Sequence, residues 1–480
     1  MRMNIYRLLL IPVLAAGAVA TGCKKWDDHN AITDAALTKT IFEQISADTS
    51  LSRFADLLKK TGYDQVIASS KTFTVFAPTN TALAGLDAAI VNDAGKLKLF
   101  VGNHIANQSY FTRAATTSLR IPMLNGKYHN LLASTVNDAT ITRADQPAKN
   151  GVYHVINKML PALNNCWGTL ENDPAIPASQ KAYMLSLFMK IFDPTNAVQT
   201  GVNPVTGEPI YQPGTDSVYT NLFWRSVYDL NDESKQYTLF VLTDAAWDAE
   251  IVKFSPWFKM PDSLGGSAPI TKWYVLKDLA AEGLYPQTTV PDTLLSKFDV
   301  KIPVDKSAIV QTITTSNGII YIMNKADVQP RHKIKPIIIQ GEDYRSMSAD
   351  KRGNMYFRDR FNTLTGKDFR DVLVYGHGTS TFNLKYRLYN VNSTKYNVSW
   401  VALNDFQTAT FTQKIAFGDP ASTGSGYKTV SVNNFDEVTV GQVEFSNYSG
   451  FVDMFLVATN TTTAATNPLV CDYIKLDPVF

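Results

Sequence analysis

The stretch KTFTVFAPTNTAL, Lys71 to Leu83, decides how the chain is read. Phe73, Val75 and Ala77 alternate with Thr72, Thr74 and Phe76, a period of two in β-branched and aromatic side chains that suits a pleated sheet. Pro78 lacks the amide hydrogen a central ladder needs, so pairing ends there. Thr79 or Asn80 can cap the first free amides of a helix beginning Thr81, Ala82, Leu83. The stretch therefore reads as a strand-to-helix hinge, and it holds no nucleophile beside a base, so it is not read as catalytic. Upstream, Leu37, Ile41 and Ile45, then Leu51, Phe54, Leu57 and Leu58, have helical spacing with Gly62 as a stop, and these helices would pack on the sheet.

The hinge recurs. Lys71 to Asn80 is echoed by KQYTLFVLTD, Lys235 to Asp244, at an offset of 164. NGVYHVINK, Asn150 to Lys158, is echoed by NGIIYIMNK, Asn317 to Lys325, at an offset of 167. Two separate echoes at nearly one offset imply two copies of one domain. Both boxes and their separation resemble the fasciclin (FAS1) family, whose boxes read approximately TVFAPTDEAF and NGVIHVIDKVL. Asn80 and Asn157 stand where aspartate is usual. The second copy has Val241 and Leu242 in place of Ala-Pro, keeps Thr243 and Asp244, and has Tyr321 or a neighbour where the family has histidine. The resemblance implies α+β domains and a role in cell adhesion. Some animal members are linked to integrin binding through a Tyr-His pair, which aligns with Asn103 and His104 here; the tyrosine is missing, so that activity is not carried over.

Composition agrees with a globular chain of about three domains: 480 residues, 45% hydrophobic and 18% charged. A formal charge of +2 leaves no field that would favour nucleic acid. Arg2 and Arg7 precede a largely apolar run from Leu8 to Ala20, ending Thr21, Gly22, Cys23, which reads as a secretory signal. At 1.5 Å per residue this run covers about 20 Å, short of a hydrocarbon core about 30 Å thick, so it is not a permanent span. Small residues before Cys23 resemble a bacterial lipobox, with Ala20 where leucine is usual. Cys23 is the expected lipidation site, and Lys24, Lys25, Trp26, Asp27 and Asp28 resemble the export tags of Bacteroidota surface lipoproteins. Two or more acyl chains would anchor the protein in the outer membrane, facing the exterior, without a spanning helix. The remaining cysteines, Cys166 and Cys471, imply no disulfide framework.

His104, His129 and His154 could hold zinc, but their spacings of 25 match no compact ligand motif, and neither HExxH nor CxxC occurs. No metal, cofactor or catalytic residue is assigned. Gly376-His377-Gly378-Thr379-Ser380 is not GxSxG and reads as a turn between strands. Trp224, Trp247, Trp257 and Trp273, in or beside the second copy, are candidate ligand-contact aromatics, set against the core role that tryptophan usually takes. Asn164 to Tyr219 reads as an insertion with a helix from Lys181 to Phe192. Arg331 to Arg370 holds ten Lys or Arg against five Asp or Glu, which reads first as a solvated junction and second as a surface for an anionic partner.

Beyond Ile337 the pattern changes to about eight strands between Asn, Gly, Ser and Thr turns: Phe382, Leu384, Tyr386, Leu388; Tyr396, Val398, Trp400, Ala402; Val438, Val440 and, after Gly441, Val443 and Phe445. This favours an all-β jelly-roll-like sandwich. The ending DYIKLDP at Asp472 to Pro478 is similar to the closing strand of galactose-binding-like carbohydrate modules. The expected organisation is a signal at 1–22, a tether at 23–36, fasciclin-like domains at 37–163 and 164–335, and a sandwich at 336–480. The expected function is non-catalytic: a cell-surface lipoprotein for adhesion or carbohydrate binding, with glycans or cell-surface proteins as partners. The rivals are a carbohydrate-active enzyme with carboxylates dispersed along the chain, which spacing cannot reveal, and a structural accessory of an outer-membrane uptake complex.

Overall fold

A computed structural model describes residues 35–69 and 71–480, so the signal, Cys23 and the tether up to residue 34 lie outside the described residues. Two compact units result. The first runs to Thr169 and takes in Leu230–Gln236 and Thr315–Asn317; the second holds Leu170–Asp229, Tyr237–Thr314 and Gly318–Phe480. No helix among the described residues is long and apolar enough to cross a membrane.

In the first unit the hinge strand, Phe73–Pro78, lies between Ile105–Ala106, antiparallel, and Gly151–Ile156, parallel, with Val75 opposite Tyr153. The sheet continues through Ala139–Ala148, Thr135–Val136 and Tyr128–Leu131 to Leu119–Pro122. A bridge from Met123 back to Ala106 curls it round on itself. The alternation read from sequence sorts the two faces. Phe73, Val75 and Ala77 meet Ile41, Ile45, Phe54 and Leu58 of the helices, while Phe76 points the other way, among Ile121, Leu131, Val136 and Ile156. Each of the larger side chains stabilises the fold by roughly 1.5–3 kcal/mol, and Ala77 by less. The helices Ile41–Ala47 and Ser52–Thr61 form, and Gly62 ends the second at φ 76°, a left-handed cap that glycine adopts freely.

The helix expected from Thr81 does not form. Thr79 accepts from the Leu83 amide at 3.0 Å and closes one turn. Leu83 then enters the core, and Asp87 restarts the chain by capping the short helix Ala88–Val91. In the second unit the corresponding helix does form, Asp244–Phe254, capped by Thr243. Its strand, Tyr237–Leu242, lies antiparallel to Ala280–Glu282 and parallel to Gly318–Met323.

The insertion differs from its reading. The helix is Ala178–Ser186 and stops before Phe188. Phe188–Phe192 is instead a strand paired with Ser217–Asn221, and Gln199–Val202 pairs with Pro209–Tyr211. Phe188 stacks on Tyr219 at 5.0 Å. Such cross-strand aromatic contacts and the non-local pairing outweigh local helix propensity.

The C-terminal part of this unit is a β-sandwich with sheets of four, five and three strands, more than the eight or so expected because Ile337–Gln340, Ser346–Met347, Lys428–Val430 and Leu469–Cys471 are short added pairings. Phe382, Leu384, Tyr386, Leu388, Tyr396, Val398 and Trp400 fill one core. The pattern break at Gly441 is a bulge: Val398 faces Gly441 but Ser399 faces Thr439. The sandwich also meets the second α+β copy. The Trp257 carbonyl accepts from the Ser393 amide at 3.0 Å, Tyr274 and Tyr448 share a hydroxyl hydrogen bond of 3.1 Å, and Trp257 lies 5.2 Å from Phe480.

Candidate functional site

The two hinges do the same structural work. Thr74 Oγ1 donates to the Gln108 carbonyl and accepts from the Tyr110 amide, both at 2.7 Å; Thr238 Oγ1 donates to the Gly283 carbonyl at 2.9 Å and accepts from the Tyr285 amide at 3.2 Å. Asn80 Oδ1 accepts from the Arg53 amide at 3.0 Å and its Nδ2 donates to the Thr49 carbonyl at 2.9 Å, so it pins the start of the Ser52–Thr61 helix. Asp244 Oδ1 accepts from the Ser179 amide at 2.7 Å at the start of Ala178–Ser186, and this bond holds the Asp244 carboxyl below its usual range. The polar residues after the strand thus tie it to a neighbouring helix and present no reactive group.

The histidines are similarly committed. His104 Nδ1 donates to the Phe100 carbonyl at 2.9 Å and Nε2 accepts from the Leu160 amide at 3.0 Å. His129 Nε2 donates to the Asn103 carbonyl at 3.0 Å and Nδ1 accepts from Asn137 at 2.6 Å. His154 Nε2 donates to the Tyr110 carbonyl at 3.0 Å while Nδ1 accepts from the Asp145 amide at 3.1 Å. Each fixed tautomer is neutral, and no ring nitrogen has a lone pair free for a metal. Burial pushes His104 down to about 3 and His129 to about 4. Among the described residues no three His, Cys, Asp or Glu side chains gather as a metal would require. Asn103 and His104, where an integrin contact would align, are both fully buried. Tyr321 takes the place of His154 in the second copy: its hydroxyl donates to the Tyr285 carbonyl at 2.7 Å, and its ring stacks with Phe240 as His154 does with Phe76.

The four tryptophans differ in their surroundings. Trp247 is 2% exposed and fills the core, which removes it as a ligand contact. Trp224 sits edge-on to Phe188 at 5.1 Å, Trp257 packs on Phe480, and Trp273 is half-buried on the Ser267–Leu276 helix. The glycine-flanked His377 is also buried, with Nδ1 accepting from the Thr379 amide at 3.2 Å. Half of the ten cations in the basic run are held in ion pairs: Arg352 with Asp350, Arg358 with Asp371 and Asp405, Arg360 with Asp405, Arg370 with Asp359, and Lys333 with Asp278 in a fully buried pair at 2.8 Å.

What sequence reasoning missed is a cleft of 560 Å³ at one end of the sandwich. The ends of neighbouring strands at Gln340, Val401 and Tyr473 form one side, and the hairpin turn between Asn362 and Lys367 forms the other. Phe369, Phe435 and Tyr473 bring aromatic surface to it; Lys367, Arg370, Asp436, Glu437 and Asp472 bring charge. Burial works to raise Glu437, but Ser399 at 2.9 Å, Tyr473 at 2.9 Å and Lys475 hold it ionised, below its usual range. Asp472, 6% exposed, is pushed up to about 7 by burial and by the carboxyls of Asp371 and Glu342. The arrangement offers flat apolar faces beside hydrogen-bond acceptors and cations, the mixture that suits a hydroxyl-rich ring. Its members stand up to 133 positions apart in the chain, Gln340 to Tyr473, and no local pattern marks them as neighbours.

Residues 49–162 match the family model described as Fasciclin domain. A curated relative, "Protein sll1483" of Synechocystis sp., is 29% identical over 160 residues, 31% of this chain and 87% of that protein. Among solved structures, a FAS1 domain pair from the insect cell adhesion molecule Fasciclin I aligns over 59% of this chain and 99% of its own, at 16% identity and TM-score 0.24. The CBM36-1 domain of a multidomain xylanase from the hindgut metagenome of Trinervitermes trinervoides aligns over 30% and 99%, at 17% identity and TM-score 0.22. TM-scores this low do not constrain function.

Proposed function

We propose that this chain, whose residues 49–162 belong to the fasciclin domain family, is a non-catalytic surface lipoprotein that captures glycan through its C-terminal sandwich, with the fasciclin domain serving adhesion. The observation that carries the reading is the cleft, where Phe369, Phe435 and Tyr473 stand beside Asp436, Glu437 and Asp472. The lipobox-like Cys23 and the charged residues after it support an outer-membrane anchor with the folded part outside. Residues 24–480 titrated against neutral glycans test the capture: binding is expected to fall about tenfold or more in the Phe369→Ala, Phe435→Ala double variant, given about 1.4 kcal/mol per decade. Unchanged binding in that variant, or no binding to any glycan, overturns it. Loss of lipid labelling in Cys23→Ala tests the anchor.

The enzymatic rival draws on the same cleft. Two carboxyls of its lining are shifted in opposite directions, Asp472 up to about 7 by burial and Glu437 below its usual range by Ser399, Tyr473 and Lys475, the kind of contrast that glycoside hydrolysis uses. Against it, both Glu437 oxygens are engaged, by Ser399 and Lys475 on one side and Tyr473 on the other. Shortening of a bound oligosaccharide, abolished by Asp472→Asn, would favour the hydrolase.

A further inference from the structure

We propose a second ligand surface, separate from the cleft: the outward face of the five-stranded sheet binds a polysaccharide of uronic acids. The inference rests on the glycan reading in taking a sugar chain as the ligand. In the strand Asn383–Val391, Leu384, Tyr386 and Leu388 point inward and are fully buried, so Lys385, Arg387 and Tyr389 point outward. Opposite them stand Phe455, Asp453 and Phe451 of Ser449–Ala458.

One end of this face is closed. Phe455, Val457 and Ala416 are covered and form a small cluster of their own. Segment 418–427 is tied down there, with Lys414 donating to the Ser422 carbonyl and Tyr427 donating to the Ala458 carbonyl at 3.1 Å. The other end is open: Tyr389 and Phe451, directly opposite each other, remain 51% and 55% exposed. A fold that covers apolar side chains at one end and leaves two aromatic rings facing water at the other marks a contact surface.

Charge names the occupant. Arg387 lies 4.1 Å from the Phe451 ring centre and Arg345 lies 5.7 Å from that of Tyr389. Lys385 and Arg387 share Asp453, each at 2.8 Å, so three cations face one carboxylate. Arg345 donates to the Tyr389 hydroxyl and has no carboxylate partner among the described residues. Exposed rings flanked by surplus cations suit a sugar ring carrying a carboxylate, which a guanidinium receives through paired N–H groups. A neutral sugar leaves that charge unused.

The test titrates residues 24–480 with polygalacturonate and with the same polymer fully methyl-esterified. The first is expected to bind, more weakly as salt rises, and the ester is not. Tyr389→Ala with Phe451→Ala should lose about tenfold or more in affinity, Arg345→Gln should also lose affinity, and thermal melts should stay near wild type because both rings are half exposed. Phe369→Ala with Phe435→Ala in the cleft should bind polygalacturonate as wild type does. Equal binding of the ester, undiminished binding by the Tyr389 and Phe451 double variant, or loss in the cleft variant overturns the inference. Neutral glycans binding while polygalacturonate does not would sink this surface alone. No glycan binding of any kind would sink it together with the glycan reading.

Discussion

Gly151 shows how much a single backbone position can carry. Its φ of 138° and its place against the hinge strand leave no room for a side chain, since a Cβ there would lie 2.0 Å from the Phe73 carbonyl oxygen. Gly151→Ala is expected to destabilise the first unit by about 3 kcal/mol or more, read by urea unfolding, because backbone rather than a movable side chain must give way. Tyr321 makes a milder case: Tyr321→Phe keeps the stack on Phe240 and removes one hydrogen bond to the Tyr285 carbonyl, for an expected loss of about 1 kcal/mol. A loss near zero would mean that the shared geometry of His154 and Tyr321 contributes no stability.

At the scale of elements, the link from strand to neighbouring helix rests on Asn80 and Asp244. Asn80→Ala and Asp244→Ala should each cost about 1 kcal/mol, the usual loss for a helix-start acceptor. If only Asp244→Ala did so, the two hinges would not be equivalent. Much of this was legible in the sequence because it is local and periodic: the alternation at Phe73, Val75 and Ala77 sorted one strand's faces, and Gly62 marked a helix end. Two readings failed where distant partners decide. Phe188–Phe192 continues a helical pattern on paper, yet it pairs with Ser217–Asn221, some 25 to 33 residues on. Thr81–Leu83 looked like a helix start until Leu83 turned into the core. The cleft was invisible because its residues are brought together only by strand order in the sandwich.

For the whole molecule, the buried titrating groups predict opposite pH responses in the two units. His104 and His129 stay neutral until about pH 3 and 4, while the unfolded chain takes up their protons near 6.5. Their contribution is therefore complete above about pH 6.5 and is lost as pH falls toward 4, so the first unit should lose stability over that window. Asp472 behaves in reverse. Its folded value of about 7 lies above the ordinary aspartate value of 3.8, so its contribution is complete below about pH 4 and is lost as pH rises to 7. Asp472→Asn should remove that slope, seen as a melting-temperature difference from wild type that shrinks toward acid pH. A slope unchanged by the substitution would place the titrating group elsewhere.

Hydrogen exchange on residues 24–480, with and without the tightest-binding neutral glycan, tests the central claim most directly. Slowed exchange at Asn362–Arg370, Phe435–Glu437 and Asp472–Tyr473, with the sugar recovered at its original length, is the predicted result. Protection confined to Phe73–Pro78 and Gly151–Ile156, or a shortened sugar, would contradict a non-catalytic capture site in the sandwich.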